Sequence, residues 1–241
     1  MAYTTAGPGA TINGKHTMRD YGLVIGNTNI VGAPEIKKNY VDIPGASKRL
    51  DLTEALTGKP EYGSRKLTFK FGGMDRIDGW AGRISSFFNE VHGKTVQVIL
   101  DNDPEYYYEG RAEVSGLERA RTLGTFTMEV DAEPFKFELT GSDEDWLWDS
   151  FNFETGIIRE YMGIEVLGSK TYEVPGSKID IVPVFTVTNL TGSAYVTFAG
   201  KRYELKSGKN RFPELVIPTG GANVIFTGTF TVSIGFRGGS L

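Results

Sequence analysis

The sequence has no cysteine and only two histidines, His16 and His92. Without cysteine the chain cannot form disulfides, cysteine-zinc sites, iron–sulfur clusters or a cysteine nucleophile. Two histidines are too few for a multi-histidine metal site within one chain. We therefore expect neither a bound metal nor a cofactor.

Basic charge and long apolar runs are also scarce. Lys and Arg number 26 against 30 Asp and Glu, a net charge of −4, so there is no basic surplus of the kind that drives sequence-independent DNA binding. No apolar run approaches the ~20 residues that cross a bilayer, and the N-terminus lacks the apolar core of a signal peptide. We expect a soluble protein that neither inserts into a membrane nor is exported through a signal peptide.

The residues that are abundant favour strands. The chain has 31 glycines and 12% aromatic residues, together with many Thr and Val, which indicates turns and strands rather than a helical bundle. Residues 1–15 are small and have no periodicity, which predicts an N-terminus that is flexible or becomes ordered only against a partner. Further on, Leu67, Phe69 and Phe71 alternate with polar residues, as in a half-buried strand.

One segment has helical periodicity, and Gly93 follows it as a terminator. Its apolar positions are Ile77, Trp80, Ile84, Phe87, Phe88 and Val91. We predict one amphipathic helix that packs on a sheet, with further strands at 94–100, 106–114 and 125–132. These elements predict an α+β N-terminal domain over residues 16–138.

The stretch between Pro44 and Gly63 interrupts this domain. It shows only weak alternation, at Leu50 and Leu52, among charged residues and proline breaks. Such a stretch is too long and too polar for a compact connector. It predicts a long excursion from the core.

The alternation ends after residue 138, and the polar residues that follow predict a linker over 139–150. From residue 151 to 241 no helical period is present, and short strand candidates are separated by Gly, Ser, Asn or Pro turns. The candidates lie at 164–167, 179–188, 194–198, 202–205, 215–217, 223–226 and 229–236. This spacing favours an antiparallel β-sandwich.

No group of residues predicts catalysis. The glycine-rich stretch at 163–171 departs from a phosphate loop because Ser169 precedes Lys170. The carboxylates at 101–109 are interpreted as a solvated turn rather than a calcium site. Those at 143–149 flank two tryptophans, as in a glycosidase, but a linker that docks on a domain is the favoured interpretation. We predict that the protein is not an enzyme.

Several segments follow one another in a recognisable order: HTMRDYGL at 16–23, VDIPG at 41–45, the excursion, YGSRKLTF at 62–69, and the helix and strands that follow. This order resembles the distal tail proteins, the tail hub family of phages with long non-contractile tails. The part from Pro183 to Leu241 resembles the galectin-like β-sandwich of that family. The implied fold is mainly β with one amphipathic helix, followed by a galectin-like antiparallel β-sandwich.

The resemblance implies a structural virion protein, made in the host cytoplasm and located at the tail tip. Six copies would form a ring, single or as two stacked rings, that joins the tail tube to the host-adsorption apparatus and leaves a channel for DNA as passing cargo. The implied partners are the tail tube protein, the tail-associated tip protein, the tape measure protein and receptor-binding proteins. The excursion at 44–63 matches the family's belt, an arm that reaches onto the neighbouring subunit. The expected belt contacts are Pro44, Gly45, Leu50, Leu52, Leu56 and Tyr62.

One departure from galectins concerns sugar binding. Galectins resemble one another in a His, Asn, Arg, Trp and Glu set on one sheet, whereas the C-terminal half of this chain has no histidine and its only tryptophans lie in the linker. Tyr195 and Tyr203 could still stack on a sugar ring, although their interpretation as core or surface strand residues is favoured. The alternative function is a carbohydrate-binding module that targets a bacterial cell wall.

Overall fold

The computed structural model describes residues 9–27, 30–45, 47–73, 77–119, 124–142 and 161–241, with residues 77–81 and 119 described by their backbone alone. The chain divides into two compact units, one ending at Lys136 and the other spanning Phe137–Ser240. Residues 143–160 lie outside the described ranges, so the linker expected over 139–150 stays a prediction.

The first unit is built on an antiparallel sheet. Its strands are β1 Ala10–Ile12, β2 Lys15–His16, β3 Val24–Ile25, β6 Arg65–Gly73, β7 Thr95–Leu100, β8 Asp103–Arg119 and β9 Gly124–Ala132, while β4 Tyr40–Asp42 and β5 Arg49–Asp51 pair separately. The main sheet has the order β2-β1-β7-β8-β9-β6-β3. In β6, Leu67, Phe69 and Phe71 are buried while Lys66 and Lys70 are exposed. The predicted alternation is confirmed.

The predicted amphipathic helix is present as α2, Ile77–Val91, and its apolar stripe packs on the sheet. Phe87 is fully buried, with its ring centroid 5.6 Å from that of Phe71 and 5.7 Å from that of Phe126. Burial of each such ring stabilises the fold by ~1.5–3 kcal/mol. Trp80 belongs to the residues described by backbone alone.

A second helix, α1, spans Thr17–Tyr21 and is missing from the sequence prediction, which expects one helix. The Nδ1 of His16 accepts hydrogen bonds from the backbone N–H groups of Met18 and Arg19, each at 3.2 Å, and so caps its first turn. Gly22, with a φ of 65°, ends it. Five residues are too few to produce a detectable helical period, so this helix depends on its caps.

The expectation of a flexible N-terminus over residues 1–15 is wrong for its last part. Strand β1 pairs with β7, with Thr11 opposite Ile99, and Ala10 and Ile12 are buried. The apolar alternation of β1 covers only three residues, which is too short a pattern to recognise. The sheet orders this segment because β7 supplies its backbone hydrogen bonds.

The described part of the second unit is built on a five-stranded antiparallel sheet. Its strands are β11 Ile164–Val174, β12 Val184–Phe198, β13 Lys201–Leu205, β14 Gly208–Arg211 and β15 Ala222–Gly235; the short strands β10 Lys136–Glu138 and β16 Gly239–Ser240 pair with each other. The sheet order is β11-β15-β12-β13, with β14 also paired to β12. The mainly β fold class is confirmed, while the specific likeness to galectins stays a prediction.

Two long strands replace four predicted short ones. The sequence predicts breaks near Asn189 and Gly228, yet β12 and β15 each run through these positions with bulges in their pairing. Gly228 has a φ of 137°, and a Cβ there would lie 2.8 Å from the carbonyl oxygen of Ser193. The glycine therefore allows a bend and a close backbone approach within a strand, and does not end it.

Candidate functional site

The excursion from the core is a two-stranded arm. Strands β4 and β5 pair antiparallel, with Tyr40 opposite Asp51 and Val41 opposite Leu50. At the base, the two halves are joined by a bridge between Ile36 and Tyr62, and the Gly63 N–H donates to the Glu35 carbonyl at 2.7 Å. We call residues 35–63 the arm. Its outgoing half begins nine residues before the predicted start at Pro44.

The arm exposes apolar side chains. Every described residue from 35 to 51 is exposed, and Leu56 retains 96% of its accessible surface. The other exposed apolar side chains of the arm include Ile36, Tyr40, Val41, Ile43 and Leu50. A two-stranded hairpin is marginally stable in water, and a contiguous exposed apolar patch is typical of an interaction site. The arm is therefore the candidate functional site.

Polar contacts give the arm its shape. The Leu52 N–H donates to the Asn39 carbonyl at 2.8 Å, and the Thr53 N–H donates to the Asp51 carboxylate at 2.9 Å. Hydrogen bonds from Thr53 hold the pKa of Asp51 below its ordinary value. Exposed ion pairs such as Arg49 with Asp42 at 3.0 Å add little. The apolar side chains contribute little to this shape and remain available to a second surface.

The six predicted belt residues fall into two groups. Pro44, Gly45, Leu50 and Leu56 are exposed on the arm, whereas Leu52 and Tyr62 are half-buried. The Tyr62 ring meets Phe135 edge to face at 5.8 Å, so it anchors the base of the arm to its own unit. Their role between subunits stays a prediction.

The sequence prediction missed the apolar residues of the outgoing half. Tyr40, Val41 and Ile43 have the pattern of a core strand, and only the preceding pair Lys37 and Lys38 signals exposure. Between the two halves lies an open cleft of about 750 Å³. Its lining includes Ile36, Lys38, Tyr40, Asp51, Thr53, Glu54, Ala55, Pro60 and Tyr62.

The two candidate sugar-stacking tyrosines are both engaged within the second unit. The guanidinium of Arg202 lies over the Tyr195 ring, 3.6 Å from its centroid. Tyr203 packs on the core, with its ring 4.9 Å from that of Phe212. A sugar would have to displace Arg202 to reach that face of Tyr195.

Other chemical candidates do not assemble into a site in the described part of the chain. His16 is buried, and its Nε2 lies 3.0 Å from the Asp101 carboxylate, so both residues serve the cap of α1. No group of three or more His, Cys, Asp or Glu residues is placed to hold a metal among the described residues. Within the same ranges, no helix is long and apolar enough to span a membrane. The carboxylates and tryptophans at 143–149 lie outside the described residues.

The chain thus belongs to a class of mainly β proteins with two compact units and an exposed arm. No protein-family model and no curated protein matches its sequence. Its fold is similar to the crystal structure of SPP1 Dit (gp 19.1), described as a paradigm of the hub adsorption apparatus in phages that infect Gram-positive bacteria. The TM-score is 0.60 at 11% sequence identity, over 98% of this chain and 100% of that chain. The resemblance to distal tail hub proteins is therefore confirmed for the fold.

Proposed function

We propose that this protein is a structural component of a phage tail hub, in which identical copies join through their arms. The arm carries the proposal, because it holds apolar residues such as Val41 and Leu50 away from any core of its own. Such side chains become stable when they pack on another chain. The fold shared with SPP1 Dit over nearly the whole chain supports a tail as the setting.

The proposed partner of the arm is a second copy of this chain. An arm that reaches onto a different part of the next copy makes a heterologous contact, and such contacts close a ring when the rotation between copies divides a full turn. We propose a homohexamer, as one ring or two stacked rings, with a central channel through which DNA passes as cargo.

The energetics favour a closed ring over a single arm contact. Six apolar side chains of the arm keep about half or more of their surface exposed, and burying that surface would supply roughly 4–9 kcal/mol of gross transfer free energy. Association of two chains costs about 4–15 kcal/mol. The net free energy of a single contact between two copies is then close to zero. In a ring every copy makes two such contacts, so the closed ring is favoured. The ring should therefore be sensitive to protein concentration outside the virion.

In the virion, the proposed ring lies at the tail tip and joins the tail tube to the host-adsorption apparatus. Its proposed partners are the tail tube protein, the tail-associated tip protein, the tape measure protein and receptor-binding proteins. The role needs no catalysis, so we propose that the protein is not an enzyme.

The test compares the full chain with a variant that lacks residues 46–60. Light scattering after gel filtration and electron microscopy of the purified wild-type chain should reveal rings at high concentration. The deletion removes β5 and Leu56 but keeps Ile36 and Tyr62 at the base, so it should stay folded by circular dichroism and form no rings. Normal rings from the deletion variant would refute the role of the arm.

The alternative, a carbohydrate-binding module, lacks an observation of this kind. Arg202 covers one face of Tyr195, and Tyr203 contacts the core. Saturable binding of cell-wall glycan that Tyr195→Ala abolishes would favour this alternative.

A further inference from the structure

A buried arginine at the base of the arm has no charged partner among the described residues. Arg65 is the first residue of β6, and only 4% of its surface is exposed. Its Nε is buried without a hydrogen-bond partner, and among the described residues no hydrogen bond or ion pair involves its side chain. A buried guanidinium is strongly unfavourable unless a carboxylate and hydrogen bonds compensate it. The side chain therefore indicates a ligand.

The surroundings of Arg65 hold its guanidinium in place. Arg65 is opposite Ala132 of β9, which in turn is opposite Gly110 of β8. The guanidinium lies over the Tyr108 ring, 5.5 Å from its centroid. The ring attracts the cation but leaves the guanidinium's in-plane N–H groups without acceptors. A planar guanidinium group held on an aromatic ring is suited to binding a carboxylate, because its N–H groups can donate two parallel hydrogen bonds.

Two carboxylates of the arm have no hydrogen-bond or ion-pair partner among the described residues, Glu35 at the base of the arm and Glu54 beyond it. The carboxylates of the arm are Glu35, Asp42, Asp51, Glu54 and Glu61. Asp42 pairs with Arg49, Glu61 with Lys37, and Asp51 accepts from Thr53, while Glu35 lies at the base beside Gly63. Glu54 lines the cleft of the arm and is exposed, and no hydrogen bond or ion pair involves its side chain within the described ranges.

We propose that Arg65 of one copy binds the Glu54 carboxylate of a second copy. This inference rests on the proposed ring, and it states which charged groups meet when the arm packs on its neighbour. Within one chain Arg65 and Glu54 do not form an ion pair with each other, although each lacks one. Because only 4% of the Arg65 surface is exposed, the expected partner is a single carboxylate. The apolar residues of the arm supply affinity, and the ion pair selects the register.

The first test removes the buried charge. In Arg65→Met the monomer should melt at the wild-type temperature or higher, because an unpaired buried cation is replaced by an apolar chain. Ring formation should need at least about tenfold more protein, because Glu54 would lose its partner. Arg111→Met, which removes an exposed arginine of the same unit, is the control and should assemble as the wild type does. Wild-type assembly of Arg65→Met, or a large loss of monomer stability, would overturn the proposal.

The second test exchanges the charges. Arg65→Glu alone and Glu54→Arg alone should each fail to form rings, since both place like charges together. An equimolar mixture of the two variants should assemble, because alternating copies restore one opposite pair at every contact in a ring with an even number of subunits. Folded variants that stay monomeric when mixed would count against the pair. If Arg65→Glu does not fold, the ion pair is tested with Arg65→Met and Glu54→Gln instead. Both of these variants should weaken ring assembly to a similar extent.

These experiments separate this inference from the proposed function. If wild-type rings form and the 46–60 deletion abolishes them while Arg65→Met and Glu54→Gln assemble normally, the ring stands and the ion pair is refuted. If the wild-type chain forms no rings, both are refuted.

Discussion

Val41 and Leu50 face each other across the two strands of the arm, and both are exposed, at 43% and 47%. Directly opposite residues of an antiparallel pair point to the same face of the sheet. The two side chains therefore form a small apolar surface in a part of the chain that has no core. This surface gives the most direct test of the arm.

Replacing this pair should affect assembly and leave the monomer intact. In the double variant Val41→Ser and Leu50→Ser, the protein concentration at the midpoint of ring formation should rise at least tenfold, as measured by light scattering. The reason is that serine removes apolar surface that the contact between copies would bury. The free energy of unfolding of the monomer should change by less than about 0.5 kcal/mol per exposed site. Lys38→Ser with Lys48→Ser is the control on the same arm. Equal assembly of both double variants would show that the apolar face is not used.

The bend of β15 depends on Gly228. Its φ of 137° and its 2.8 Å approach to the Ser193 carbonyl leave no room for a Cβ. Gly228→Ala should therefore lower the free energy of unfolding by about 1–3 kcal/mol, measured by chemical denaturation. Gly220→Ala is the matched control, because a Cβ there meets no heavy atom within 4 Å. A neutral Gly228→Ala would mean that β15 bends elsewhere.

The cap of α1 depends on His16. His16→Ala removes the acceptor for the Met18 and Arg19 N–H groups and should cost about 1–2 kcal/mol of stability in thermal denaturation. His16→Asn should recover most of this loss, since asparagine is a good N-cap residue. If the two variants are equally destabilised, the bond between His16 and Asp101 is the more important contact.

Stability should fall in acid partly through Glu90. The pKa of Glu90 lies below its ordinary value of 4.5 because Lys15 donates a hydrogen bond to the carboxylate at 2.6 Å and Tyr21 donates a second one. A carboxylate with a lowered folded pKa stabilises the fold above its ordinary pKa, and this contribution disappears as the pH falls through the folded pKa. In thermal melts from pH 7 to pH 3, Glu90→Gln should therefore be less stable than the wild type at pH 7 and converge with it in acid. A gap that is constant with pH would contradict this role.

Much of the fold could be predicted from local patterns. The alternation of Leu67, Phe69 and Phe71 identifies β6, and the helical spacing of Ile84, Phe87 and Val91 identifies α2, because each pattern spans enough residues to reveal its period. The short elements β1 and α1 could not be predicted, since they depend on pairing with β7 and on the His16 cap. The sequence predicts a turn near Gly228 because it does not reveal how close a neighbouring backbone lies.

The candidate site was predicted in part for a similar reason. Charges and prolines mark the returning half of the arm in the sequence, whereas Tyr40, Val41 and Ile43 have the composition of a buried strand. Whether such a strand is buried depends on what packs against its faces, which local sequence does not encode. The burial of Arg65 could not be predicted for the same reason. The alternating pattern of β6 is the same whether an arginine at the start of the strand faces the interior or lies in solvent at the edge of the sheet.

The sequence by itself determined the mainly β character of this protein, the position of its long helix and the absence of cysteine chemistry, because these depend on composition and on short-range period. Only the tertiary structure decided that residues 35–51 leave the core, that β12 and β15 continue through their bends, and that Arg65 is buried with no carboxylate bound to it in the described part of the chain. These features depend on contacts between residues far apart in the chain, which no local pattern specifies.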